Sequence, residues 1–105
     1  MNCRIVTAAE LSQVMALWDY CFEKEEDPFF QWYFREYCFR HNLILGGFSE
    51  EDGHLQNMLH LNPYSILLRG QEERVSYIVG VATDPADRGH NLTQELLRSA
   101  FRLLR

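Results

Sequence analysis

Val79-Gly80-Val81-Ala82-Thr83-Asp84-Pro85-Ala86-Asp87-Arg88-Gly89-His90-Asn91-Leu92-Thr93 is the stretch whose reading decides the fold. Its Val-rich start has the composition of a buried strand, Asp84-Pro85 marks a turn, and a helix begins near Leu92. The first backbone N–H groups of a helix have no intrahelical partners, and the positive end of the helix dipole adds to them. Such a turn can cradle a pyrophosphate. Arg88 adds a fixed positive charge, Gly89 permits close backbone approach, and Asn91 tolerates left-handed backbone angles. By spacing alone, an ordinary surface connection is the alternative reading of the same residues.

On the C-terminal side Leu92, Leu96, Leu97, Ala100, Phe101, Leu103 and Leu104 recur at the spacing of an amphipathic helix. On the N-terminal side Val75 to Thr83 reads as a long strand. Val75, Tyr77, Val79 and Val81 oppose Ile78, Gly80 and Ala82, which predicts a central strand covered on both faces. Leu43 to Phe48 and His54 to Leu61, joined through Glu51-Asp52-Gly53, read as a hairpin. Strict alternation puts Leu55, Leu59 and Leu61 on one face and Met58, His60 and Asn62 on the other. Tyr64 to Leu68 continues extended, and Arg69-Gly70-Gln71-Glu72 makes the next turn.

Cys3 to Val6 is a short first strand, after which Thr7-Ala8-Ala9-Glu10 is a capping box. The helix it opens runs to about residue 22, with an apolar stripe of Leu11, Val14, Met15, Trp18 and Phe22 or Cys21. Asp27-Pro28 then reads as the N-cap and first residue of a second helix, dense in aromatics from Phe29 to Phe39.

A chain of 105 residues with 47% hydrophobic composition has material for one globular core. Its net charge of -5 argues against nucleic-acid partners, because phosphate neutralisation needs a basic face. No apolar run approaches the roughly 20 residues of a spanning helix, and Met1 to Val6 has no signal core. A cytoplasmic protein without membrane partners is expected. Cys3, Cys21 and Cys38 are odd in number and lack CxxC spacing, which suits reduced thiols. His54 and His60 share parity on a strand but stand about 20 Å apart, so no metal site is expected.

The Val79–Thr93 stretch resembles motif A of the GNAT acetyltransferases: a Val-rich strand, Pro-x-x-Arg-Gly, then a helix. The family's Gln/Arg-x-x-Gly-x-Gly/Ala falls on Arg88, Gly89, His90, Asn91, Leu92 and Thr93. Asn91 stands where glycine is usual, and Thr93 where glycine or alanine is usual. The order of elements upstream is similar to that family too. Trp18-Asp19-Tyr20-Cys21-Phe22 and Ile78-Val79-Gly80-Val81-Ala82-Thr83 are similar to its Eis-like (enhanced intracellular survival) branch.

The resemblance implies an α/β GNAT fold, with a mixed, mostly antiparallel sheet and flanking helices. Residues 1–105 are then expected to be the N-terminal part of a single domain, truncated after the motif A helix. It implies an N-acetyltransferase that passes the acetyl group of acetyl-CoA to a primary amine by direct attack in a ternary complex, without a metal. Backbone around Val79 and Val81 is expected to hold the acetyl and pantetheine portion, and Arg88 to Thr93 the pyrophosphate. In the Eis-like branch the general acid is a tyrosine after the next strand and the base is the C-terminal carboxylate, so both are expected beyond residue 105.

Phe22, Asp27, Trp32, Tyr33, His60 and Asn62 are candidates for the acceptor pocket, with ordinary core packing as the alternative. The acidic run Glu23 to Asp27 can attract a polycationic acceptor such as an aminoglycoside or polyamine, or it can be a solvated connector. A lysine is the other acceptor expected, and the exposed apolar surface of the last helix points to a homo-oligomer. The rival function is a non-catalytic GNAT-like module that binds an acyl-CoA or a protein partner, which Asn91 and Thr93 favour.

Overall fold

The computed structural model describes residues 1–104. Strand β1 (Asn2–Ile5) leads through one 3-10 turn (Ala8–Glu10) into helix α1 (Leu11–Cys21). The helix starts at the capping box because Glu10 reaches back: its carboxylate accepts from the Thr7 backbone N–H at 2.9 Å. The Arg4 guanidinium closes on the same carboxylate and lies 3.9 Å from the centre of the Phe48 ring. The hydrogen bonds from Arg4 pull the Glu10 carboxyl pKa down from the usual carboxylate range to about 2.

Helix α2 (Pro28–Trp32) begins where Asp27 caps it, its carboxylate accepting from the Phe29 N–H at 2.8 Å. The winding then widens into a π turn over Tyr33–Tyr37, closed by a bond from the Cys38 N–H to the Tyr33 carbonyl at 2.9 Å. Helical periodicity alone does not distinguish this wider turn from an α-helix.

Strands β2 (Leu43–Phe48), β3 (Leu55–Leu68) and β4 (Gln71–Thr83) complete a sheet of order β1-β2-β3-β4 in which every pairing is antiparallel. Between β3 and β4 the chain reverses on Arg69 and Gly70 alone, with φ of +53° and +80°. Gln71 is already paired with Leu68. The turn is thus shorter than the four residues expected, because left-handed angles at both central positions match the twist of the strands.

Leu59 and Leu61 face away from Met58, His60 and Asn62 as the alternation predicts, but two irregularities in the ladder break it at Leu55 and in β4. Gly47 pairs with Asn57 while Phe48 pairs with Leu55, so the register shifts there and Leu55 joins Met58 in the core under α1 and α2. Leu59 and Leu61 pack against Leu96 and Ala100 on the opposite face. In β4, Met58 pairs with Ala82 but His60 pairs with Val79, three residues against two. The extra residue puts Val79 and Ala82 on the same face, and Gly80 within the bulge has φ of +62°.

β4 is an edge strand among the described residues, not the central strand expected, since it pairs only with β3. Tyr77 is 62% exposed accordingly. Helix α3 (Leu92–Leu103) covers the face opposite α1 and α2, burying Leu96 and Ala100 and leaving Phe101 and Leu103 exposed. The sheet is therefore sandwiched between helices, a layer arrangement that gives each amphipathic face something apolar to meet.

Candidate functional site

β4 runs directly into the connection that carries the motif. Its ladder extends by one bond, from the Asp84 N–H to the Gln56 carbonyl at 2.8 Å. Asp84 then caps a 3-10 turn (Pro85–Asp87), accepting from the Ala86 N–H at 2.9 Å. Gly89 at φ +91° and Asn91 at φ +56° bend the chain into α3. Asn91 is the residue before the first helical turn, and its left-handed conformation is one that asparagine adopts at less cost than most residues.

The side chains around this bend tie it to the sheet. The Thr83 and Thr93 hydroxyls meet at 3.1 Å, joining the end of β4 to the first turn of α3. Arg88 is exposed; its Nε donates to the Thr83 carbonyl at 3.2 Å, and its guanidinium reaches the Cys21 sulfur at 3.8 Å. His90 is exposed and Leu92 half-buried. Val79 is half-buried opposite His60, and Val81 is partly exposed on the strand that leads to the turn. Arg88, Gly89, His90, Asn91, Leu92 and Thr93 thus form one continuous bend at the end of β4.

The second group of residues lies under α1 and α2. Trp18 is its hub, with ring centroids 4.8 Å from Phe22, 4.9 Å from Tyr33 and 5.1 Å from His60. Trp32 lies at the margin, 51% exposed; its ring is 6.1 Å from Phe29, which stacks on Tyr33 at 5.6 Å, and stacks at 5.7 Å on Tyr37, which also stacks on Tyr33. Phe22 is exposed at the end of α1, and Asp27 is occupied in capping α2.

Within this group the polar atoms form a chain. The Tyr33 hydroxyl lies 2.8 Å from His60 Nδ1, and Asn42 Nδ2 donates to the Tyr33 oxygen at 3.2 Å and to Asn62 Oδ1 at 3.0 Å. His60 is fully buried and its pKa is pushed down to about 3 by that burial, so the ring is neutral. Burial also pushes the Tyr33 phenol well up and the Cys38 thiol up to about 11, so both keep their protons. His60 Nε2 is buried without a hydrogen-bond partner among the described residues.

Two contributors were not singled out from sequence. Asn42 organises the Tyr33 cluster from the loop before β2, where nothing in its neighbours marks it. His54, weighed only as a metal ligand, bonds carboxylates on both ring nitrogens. The nearby Asp52 in the hairpin turn was the available signal for half of that arrangement. Cys3, Cys21 and Cys38 are all free thiols, of which Cys38 alone is buried. Among the described residues no three His, Cys, Asp or Glu side chains are grouped to hold a metal ion, and no helix is long and apolar enough to cross a membrane.

The fold recurs in solved structures. A conserved protein of unknown function from Enterococcus faecalis V583 superposes with a TM-score of 0.85 at 20% identity, over 98% of this chain and 26% of that one. The aminoglycoside antibiotic 6'-N-acetyltransferase AAC(6')-IG from Acinetobacter haemolyticus superposes with a TM-score of 0.73 at 22% identity, over 98% and 70%. An acetyltransferase of Trypanosoma brucei gives 0.71 at 18% identity, over 97% and 72%. The chain thus spans about a quarter of the Enterococcus protein and about seven tenths of the two acetyltransferases. At these identities the likeness speaks for the fold. No curated protein sequence matches the chain. The family model for the acetyltransferase (GNAT) domain matches residues 2–105, and on that match the chain belongs to the GNAT acetyltransferase domain family.

Proposed function

We propose that the chain is the donor-binding part of an N-acetyltransferase, and that the bend Arg88–Thr93 takes the pyrophosphate of acetyl-CoA. The observation that carries this reading is the geometry of the bend. Gly89 and Asn91, both at positive φ, feed a twelve-residue helix whose first N–H groups have no partners within the helix. Arg88 stands exposed beside it and meets an anion by releasing the Thr83 carbonyl and the Cys21 sulfur. The backbone of Val79 and Val81, on β4, which among the described residues pairs only with β3, is the proposed contact of the acetyl and pantetheine portion.

The reaction is direct transfer in a ternary complex. The nitrogen of a primary amine forms a bond to the thioester carbonyl carbon, the carbon–sulfur bond breaks, and the CoA thiolate leaves. The proton lost by the amine passes to a base, and the thiolate gains one from an acid. The protein's share is positioning and electrostatic stabilisation. The acceptor is a polycationic amine or a lysine, taken up beside the exposed rings of Phe22 and Trp32, with Tyr33 and His60 buried behind them and Asn62 half-buried. Support for a polycation comes from the acidic run through Asp27 and from the likeness in fold to the Acinetobacter haemolyticus aminoglycoside acetyltransferase. The Trp18–Phe22 and Ile78–Thr83 segments support placement in the Eis-like branch, and the free thiols suit the cytoplasm.

Thr93 favours a second reading, acyl-CoA binding without transfer. It fills a position that is usually glycine or alanine in the family, and its hydroxyl is already engaged by Thr83. Calorimetric titration with acetyl-CoA, beside Arg88→Glu, tests the shared step. Saturable binding that the variant loses supports the site, and equal binding by both proteins sinks it. Mass spectrometry of amines incubated with the protein and acetyl-CoA then separates transfer from binding alone.

A further inference from the structure

The hairpin between β2 and β3 and the bend after β4 are joined by one imidazole. His54 Nε2 lies 2.9 Å from Asp87 Oδ2, and Nδ1 lies 2.6 Å from Asp52 Oδ1. Gln56 Nε2 donates to the second Asp87 oxygen at 3.1 Å. Asp87 is thereby held at both oxygens from β3 and the residue before it, and it immediately precedes Arg88. The Asp87 side chain is only 13% exposed, so its charge is poorly served by water and well served by these donors.

A neutral imidazole has one N–H and bonds one carboxylate as donor, whereas an imidazolium bonds both. The doubly bonded geometry is therefore that of the charged form, and donating to Asp87 and to Asp52 raises the His54 pKa to about 9. Other ionisable groups border the same space. Glu50 and Glu51 approach from the hairpin, His90 from the bend, Glu95 from α3, and the Met1 ammonium pairs with Glu50 at 3.2 Å. On the other side stand Tyr20 of α1 and Asp84. The acidic members outnumber the cations, so the surroundings also favour a protonated His54.

We infer that His54 is a positioning residue for the donor site: protonated, it pins the Pro85–Asp87 turn to the β2–β3 hairpin and sets the position of Arg88 and the start of α3. The inference rests on the reading of that bend as the pyrophosphate site. Two effects act in the same direction. Loss of the proton frees one carboxylate and loosens the turn, and it leaves the Asp52 and Asp87 charges uncompensated close to where a dianionic pyrophosphate would sit.

The test uses the whole chain and two readouts. NMR titration of the imidazole Cε1–H, assigned with His54→Gln, reads the clamp without any cofactor. A midpoint near 9 in the wild type, falling toward 6.5 in Asp87→Asn, is the expected result; a wild-type midpoint near 6.5 overturns the clamp. Calorimetry with acetyl-CoA then compares wild type, His54→Gln, Asp87→Asn and Arg88→Glu at about pH 7 and about pH 10, on either side of the His54 transition. Wild-type affinity is expected to fall about tenfold across that interval, and His54→Gln to bind about tenfold more weakly at the lower pH with a flat profile. His54→Gln with wild-type affinity and wild-type pH slope overturns the positioning role while leaving the donor site standing. Arg88→Glu binding like the wild type, or a wild type that does not bind, overturns the donor site and the role of His54 with it.

Discussion

The Tyr33 hydroxyl lies 2.8 Å from His60 Nδ1 inside the core, joining the π-wound end of α2 to the middle of β3. Because His60 is neutral and the phenol also accepts from Asn42, the simplest arrangement has Tyr33 donating to Nδ1 and the imidazole proton on Nε2. Nε2 is the atom left without a partner.

Tyr33→Phe removes the hydroxyl and strands His60 Nδ1 and one Asn42 donor, which is expected to cost about 1 to 3 kcal/mol in urea denaturation. Tyr33→Phe combined with His60→Leu should cost clearly less than the sum of the single changes, because the second substitution removes the stranded ring and the unpartnered Nε2 together. Strict additivity would mean that the two side chains do not depend on each other.

Gly80→Ala is expected to be among the more damaging small substitutions. At φ +62° an added methyl is disfavoured by the backbone, and it would stand 2.6 Å from Trp18 Cζ3 and 3.0 Å from His60 Cδ2. Strain and overpacking together predict a loss of about 2 to 4 kcal/mol. A Gly80→Ala protein with an unchanged denaturation midpoint would show that the bulge is not fixed by this contact.

Acid should weaken the fold in two stages. Unfolded His60 binds a proton near 6.5, while the buried ring does so only near 3. Protons therefore favour the unfolded chain between those values, and stability is expected to drop by about 1 kcal/mol per pH unit below 6.5. Glu10 works lower: its stabilising contribution is complete above 4.5 and is lost as the pH falls through about 2. Denaturation midpoints measured against pH, with His60→Leu flattening the upper window, check the assignment.

Asn91→Ala should cost about 1 kcal/mol, because alanine gains nothing from left-handed angles that asparagine tolerates, whereas Asn91→Gly should be close to neutral. If the bend holds acetyl-CoA, Asn91→Gly keeps its affinity and Asn91→Ala weakens it several-fold in the same calorimetric titration. Equal affinity in all three proteins would detach the conformation of residue 91 from donor binding.

The elements that were legible in advance were those specified by neighbours in the chain. The Thr7–Glu10 box, the Asp27 cap, the hairpin through Gly53 and the left-handed Asn91 each rest on contacts within a few residues, and the structure has them all. Alternation placed Met58 to Asn62 of β3 correctly but not Leu55 or the faces of β4, because it assumes an unbroken ladder and the register shifts at Gly47/Phe48 and between Met58 and His60 arise only when two strands pair. The same holds at the candidate sites. The order of residues 88–93 along the bend could be read directly, while the clamp on Asp87 joins residues 33 apart and the Tyr33–His60 contact residues 27 apart.

Sequence by itself placed most helices and strands, the β2–β3 hairpin and the path of the bend into α3, since caps, periodicity and turn residues act through local backbone energetics, and the resemblance of its Val79–Thr93 motif pointed to the family and its mostly antiparallel sheet. Tertiary structure alone decided that Leu55 faces α1, that Val79 and Ala82 share a face, that His60 is a neutral core residue and that His54 bridges two aspartates. Those outcomes depend on which distant groups burial brings together, and in a packed interior the identity of a polar group's partner determines its charge.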